Sequence, residues 1–190
     1  KILVMASNKI FFILTGEPGV GKTTLTKKLV TLLTEKGVKT SGFYTEEVRK
    51  NGVREGFDVV SLNGVRGRLA RDQSLLDGPV KCRVGKYGVL VQEFEKVALP
   101  CLELGTTSPL TVVIDEIGKM EFFSEPFKSR VKDIFEPSSI TVVLATIPIR
   151  RGDSIIENIR NNSRSKVWTV KNRNMLHEQI IADITNTLRV

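Results

Sequence analysis

A chain of 190 residues with 41% hydrophobic and 26% charged content is long enough for one well-buried core and short for two ordinary domains. Its longest apolar runs, such as residues 10–14, are far too short to cross a bilayer, and Ser7, Asn8 and Lys9 break up the start that a secretory signal would need. The net charge is +8, and from residue 128 onward 11 Lys and Arg face 6 Asp and Glu; such an excess draws polyanions, but with aromatics at 6% and no basic stripe interleaved with them, a phosphate pocket explains it better than a nucleic-acid surface.

Residues 1–8 are read as a leader, in which Met5 follows Lys1 so closely that residues 1–4 look like an upstream remnant. Residues 9–190 are read as a single domain. Residues 9–14 carry five consecutive apolar residues that stop at Thr15-Gly16, the pattern of a buried strand. From residue 23 to about 36, Leu25, Leu29, Leu32 and Leu33 fall at helical spacing, and Gly37 stands where helices end. A strand is predicted over 38–45. Asn-Gly at 51–52 and again at 63–64, each between β-type segments, predicts an antiparallel meander inserted over about 43–71. Residues 72–86 read as loop. A helix follows over 92–104, kinked or shortened by Pro100.

Residues 111–114 form another buried strand, ending in Asp115-Glu116. Ser124 caps a helix to about residue 135, with Pro126 in the tolerated first turn. A strand over 140–145, a short helix capped by Asp153, a strand over 166–170 and a closing helix over 174–188 complete the chain. Strands separated by helices imply an α/β fold with a mainly parallel sheet covered on both faces. Cys82 and Cys101 lack metal-type spacing and are read as structural thiols of a reducing compartment.

Gly16, Glu17, Pro18, Gly19, Val20, Gly21, Lys22 and Thr23 fit G-x-x-x-x-G-K-[ST], between a strand and a helix as that pattern requires; Thr24 follows. Glycines let the loop turn its N–H groups inward as an anion nest, and the helix adds the positive end of its dipole. Lys22 supplies a mobile charge to the β- and γ-phosphates, and the Thr23 hydroxyl is placed to ligate Mg²⁺. This is a P-loop, and it specifies phosphate binding rather than a reaction.

The segment "TVVIDEIGKMEFF" delivers two adjacent acids at the C-terminal end of a buried strand, where open α/β sheets hold ligands. Asp115 is suited to hold Mg²⁺. Glu116 either orients a water for in-line attack or stands as a solvated edge charge. A carboxylate beside the metal suits a hydrolase that carries its own base. Thr146 is a second polar strand tip, either a contact to the water or γ-phosphate or a simple turn before Pro148. Arg150, Arg151 and Arg160 follow it, either as solvated charges or with one of them as an internal arginine finger. His177 lies on an amphipathic helix and is not read as catalytic. Trp168 is read as core rather than as a stacking platform, and Asn172, Arg173 and Asn174 either cover the nucleoside or cap a loop.

With "GEPGVGKTTL", "GFYTEEVR", "GFDVVSLNG", "CRVGKY", "ALP" and "VIDEIGKMEFF" in this order, the chain resembles the P-loop nucleoside-triphosphatase family that includes vertebrate cancer-related and thermophile members. The resemblance runs from about residue 9 to the C-terminus. It implies a RecA-like sheet in which the acid strand and the P-loop strand are not adjacent, and slow Mg²⁺-dependent hydrolysis of ATP, GTP, CTP and UTP. It carries the phosphate loop onto residues 16–23 and the acid motif onto Asp115 and Glu116. Val112, Val113, Ile114, Ile117 and Gly118 join them as a second nucleotide-side segment. No family motif assigns an arginine finger, so Arg150 and Arg151 rest on position alone.

The reading is a broad-specificity nucleoside-triphosphatase with Mg²⁺ as cofactor, a monomer in the cytoplasm with nuclear access open, without nucleic-acid or membrane partners. No N-K-x-D guanine reader stands in a suitable place. The alternatives are a nucleotide or polynucleotide kinase, with residues 72–86 and 150–164 as its lids, and a non-enzymatic, nucleotide-gated binding module.

Overall fold

The computed structural model of the chain describes residues 9–103, 110–171 and 176–188. The predicted leader and the 172–174 turn lie outside the described residues. In chain order the elements are β1 (Phe11–Gly16), α1 (Lys22–Glu35), β2 (Lys39–Lys50), β3 (Val53–Ser61), β4 (Arg66–Asp72), β5 (Arg83–Val84), β6 (Tyr87–Val89), α2 (Val91–Cys101), β7 (Leu110–Asp115), α3 (Glu125–Ile134), β8 (Val142–Pro148), α4 (Ser154–Asn161), β9 (Ser165–Thr169) and α5 (His177–Leu188), with short 3₁₀ turns at Gln73–Leu75 and Glu121–Phe123.

One sheet runs in the order β5-β6-β4-β3-β2-β7-β8-β1-β9. Its β2-β7-β8-β1-β9 portion is parallel, while β3, β4, β6 and β5 continue it antiparallel. The two Asn-Gly turns close the β2–β3 and β3–β4 hairpins, as their tolerance of positive φ predicts; Asn51 itself has φ 50°. The stretch read as loop, 72–86, contains β5, and its hairpin partner β6 follows directly after; strands of two and three residues are too short to show a period. Pro100 sits in the last turn of α2, which ends at Cys101.

The parallel strands are buried on both faces, and their alternation splits the core into two layers. Phe11, Ile13, Val112, Ile114, Val143 and Ala145 point to the side covered by α2, α3 and α4. There Phe43, Phe94 and Phe127 form a ring cluster with centroids 5.2–5.9 Å apart. Phe12, Leu14, Val113 and Leu144 face α1 and α5. Trp168 packs on Phe12 in this second layer, rings stacked at 5.9 Å, and is 7% exposed.

Two features position the site. First, β8 lies between the P-loop strand β1 and the acid strand β7, so all three open their C-terminal ends along one edge. Second, β2 pairs with β7 only as far as Tyr44 opposite Asp115, then runs on through Lys50 against β3 alone. At roughly 3.3 Å per residue that overhang carries the β2–β3 hairpin about 20 Å beyond the edge.

Candidate active site

The P-loop is the turn between β1 and α1. Gly19 and Gly21 adopt φ 78° and 100°, left-handed values that a side chain would resist, and Gly21 is the N-terminal boundary residue of α1. No side chain caps α1, so the N–H groups of its first turn point into the loop's concavity, free for an anionic ligand. The Lys22 ammonium lies along the loop and donates to the carbonyls of Gly16 at 3.0 Å and Glu17 at 3.3 Å. Val20 packs its side chain against the α1–α5 layer, while Pro18, Thr23 and Thr24 line the adjoining cleft.

Across β8 stand the acids. Asp115 is 1% exposed; Thr146, its neighbour from the tip of β8, donates its hydroxyl to one carboxylate oxygen at 2.5 Å, and the other oxygen is buried without a partner among the described residues. Burial pushes the Asp115 carboxyl above the usual carboxylate range, against the pull of the Thr146 hydroxyl, the neighbouring Thr23 hydroxyl and the charges of Lys22 and Lys27. Burial also raises Glu116, with the positive charge of Lys22 pulling it down and Asp115 pushing it further up. Thr146 is therefore committed to Asp115, and its carbonyl accepts from the Ile117 N–H at 2.9 Å.

Of the segment 112–118, Val112, Val113, Ile114 and Ile117 are fully buried in the core, and Glu116 is the member that lines the cleft. Gly118 leaves room for two carboxyls: a Cβ there would stand 2.9 Å from a Glu121 oxygen and 3.3 Å from a Glu116 oxygen. Glu121, which the sequence reading passed over, is 5% exposed; burial and the neighbouring Glu116 charge lift its pKa to about 8.

The cleft has a volume of about 690 Å³ and its P-loop wall is formed by Pro18, Gly19, Gly21, Lys22, Thr23 and Thr24. The opposite wall is the overhanging hairpin, with Thr45, Glu46, Glu47, Arg54 and Phe57. Lys27 reaches from α1 to Glu46 at 2.5 Å and stacks over Tyr44, joining the two walls. This second wall was invisible in the sequence, where "FYTEEVR" reads only as a hairpin arm; the overhang of β2 past Asp115 is what brings it over the P-loop.

Arg150 and Arg151 do not line this cleft. They border a separate hollow of about 670 Å³ with Lys119, Phe122, Phe123 and Pro148. Arg160 is engaged by the Pro148 carbonyl at 2.5 Å and by Glu157. His177 lies within 3.1 Å of the Lys28 ammonium at the start of α5, on the other layer.

A P-loop on the first strand, an acid pair on a strand two places away and a polar strand tip between them define a P-loop nucleoside-triphosphatase. The NTPase family profile matches residues 11–181. The cancer-related nucleoside-triphosphatase homolog of Bos taurus is 45% identical over 183 residues, covering 92% of this chain and 96% of its own. The crystal structure of THEP1 from Aquifex aeolicus superposes with a TM-score of 0.77 at 37% identity, covering 90% of this chain and 97% of that one. The solution structure of a human cancer-related nucleoside triphosphatase gives 0.74 at 42% identity, covering 94% and 97%. The chain belongs to the NTPase family and is a nucleoside-triphosphatase.

Proposed function

We propose that the enzyme hydrolyses ATP, GTP, CTP and UTP to the nucleoside diphosphate and phosphate with Mg²⁺ bound, and with little regard for the base. The observation that carries this reading is the buried Asp115 oxygen left without a partner. An orphaned acceptor costs about 1–3 kcal/mol, more when charged, and a hard cation bound through one carboxylate and the P-loop hydroxyl relieves it. Thr23 and Asp115 would hold the ion, and when bound it neutralises charge on the β- and γ-phosphates.

The chain's own residues do the rest. The α1 N–H groups and Lys22 bind the phosphates, Lys22 exchanging the Gly16 and Glu17 carbonyls for phosphoryl oxygens. Thr146 fixes the Asp115 carboxylate. Glu116, raised by burial and so a better proton acceptor than an exposed carboxylate, orients a water. The water oxygen bonds to the γ-phosphorus as the bond to the bridging oxygen breaks. That oxygen leaves with the electron pair on the diphosphate, and the water proton passes to Glu116. Indifference to the base is supported by the missing guanine-reading motif and by Trp168, which is committed to the core.

The test is steady-state phosphate release from the four triphosphates, with and without Mg²⁺, for the parent and Glu116→Gln. All four should turn over at comparable kcat/KM and only with Mg²⁺. Glu116→Gln should lower kcat about 10²–10⁴-fold while nucleotide affinity holds. Phosphate release that demands a nucleoside or polynucleotide acceptor overturns the reading in favour of a kinase.

A further inference from the structure

The hairpin wall of the cleft carries one cation, and the hydrolysis reading leaves it unused. Among the described residues that line the cleft, Lys22 and Arg54 are the two positively charged side chains. Lys22 belongs to the P-loop. Arg54 is the second residue of β3, paired in the ladder with Arg49, so it is mounted on a strand rather than on the Asn51-Gly52 turn.

Two contacts hold its guanidinium. Nη2 donates to Glu47 at 2.8 Å, and the group lies over the Phe57 ring at 5.5 Å. Nε is buried with no partner. The planar fork is thus only partly used, and the side chain lines the cleft at 41% exposure.

The other arginines described are occupied or elsewhere. Arg66 and Arg71 clasp Asp58, Arg68 is bidentate to Glu93, and Arg49, which shares Glu47 with Arg54, does not line the cleft. Arg160 is tied to Glu157, and Arg150 and Arg151 border the other hollow.

We propose, on top of the hydrolysis reading, that Arg54 is the arginine that meets the γ-phosphoryl group, reaching it from the hairpin opposite the P-loop. Its present partner is a weak competitor. The Arg54 and Glu47 side chains are 41% and 31% exposed, and an ion pair so open to water contributes little. A phosphoryl group offers more charge and a geometry that takes both arms of the fork. As the water oxygen bonds to the γ-phosphorus and the bridging oxygen departs with its electrons, Arg54 compensates the charge spread over the equatorial oxygens. Lys22 and the loop hold the leaving diphosphate. Glu47 then serves as a positioning residue that parks the guanidinium near the cleft.

The experiment uses the whole chain: parent, Arg54→Ala and Arg54→Lys. Phosphate release from ATP gives kcat and KM, ADP titration gives ground-state affinity, and retention of ADP with Mg²⁺ and aluminium fluoride reports on a mimic of the transferring phosphoryl group. Arg54→Ala should lower kcat about 10³-fold, leave KM and ADP affinity within about threefold, and abolish fluoride-dependent trapping. Arg54→Lys should recover part of the rate, because charge returns without the fork. A kcat near the parent's, or trapping at the parent's level, overturns the proposal. So does a joint fall of kcat, ADP affinity and melting temperature, which marks a purely structural residue. Should the parent itself release no phosphate, the hydrolysis reading falls while the trapping assay still decides on Arg54.

Discussion

Two hollows of nearly equal size, about 690 and 670 Å³, open near the C-terminal ends of the parallel strands, and they differ in what is buried beneath them. The P-loop cleft adjoins an acid at 1% exposure with an unpartnered oxygen, together with uncapped helix N–H groups. The hollow beyond β8 has Phe122 and Ile156 in its floor and charges at its rim. Two of those rim charges are well solvated: Arg151 has a side chain 74% exposed and 3.8 Å from Glu157, and Glu125, at 78%, pairs with the more sheltered Lys128. Ion pairs open to water contribute little to stability in either hollow. The lesson is that what lies buried beneath a cavity says more than the count of charged residues around its rim.

The sharpest way to break this contrast is Lys22→Ala. It should raise the Kd for ATP and lower kcat together, with kcat/KM falling about 10³-fold, because the ammonium acts in ground and transition states alike. Near-parent turnover would move the chemistry out of the P-loop cleft. Next comes Thr146→Val, which strips Asp115 of its hydroxyl donor. A urea melt should show a loss of about 2 kcal/mol, the range for a hydrogen bond to a buried charged group, and phosphate release should fall with it. Unchanged stability would mean Asp115 is solvated in solution.

Glu121 sharpens the dry side of the comparison through pH. Its carboxyl is raised from the ordinary 4.5 to about 8, so between those values the folded chain holds a proton that the unfolded chain has released. Its contribution to stability is complete below about 4.5 and is lost as pH rises through about 8. Asp115 and Glu116, also raised, act in the same direction. Glu121→Gln should therefore flatten part of the decline in denaturant midpoint from acid to mildly alkaline pH; identical slopes in parent and variant would show that Glu121 is not buried. The smallest effect is expected from Arg150→Ala, in the wet hollow: stability within about 0.5 kcal/mol and turnover within about twofold. A tenfold fall in kcat would erase the distinction between the two hollows.

The strands and helices around the P-loop and the two long hairpins were legible because their signals are local. The apolar run before Gly16, the 3.6-residue spacing of Leu25, Leu29 and Leu33, and the two Asn-Gly turns each depend on neighbours in sequence. The β5–β6 hairpin was missed because strands of two and three residues carry no period. For the site, the P-loop and the Asp115-Glu116 pair were readable as strand-end motifs. What the sequence concealed depends on register. Glu46, Glu47, Arg54 and Phe57 face the P-loop only because β2 outruns β7, a fact of pairing rather than of composition. Glu121, in "KMEFF", looks like any surface acid until the 3₁₀ turn at Glu121–Phe123 folds it behind Gly118. Arg150 and Arg151 erred the other way, being close in sequence to a strand tip yet turned toward different neighbours.

The interposed strand β8 sets a ruler. Two hydrogen-bonded ladders separate β1 from β7, and at roughly 4.8 Å each they keep the backbone of the amide nest and the backbone of the acid pair about 10 Å apart. That width is written in main-chain geometry, so exchanging side chains can change what stands in the gap but not the gap itself. Substitutions on the hairpin arm thereby change what faces the gap, while the spacing between the amide nest and the acid pair stays constant.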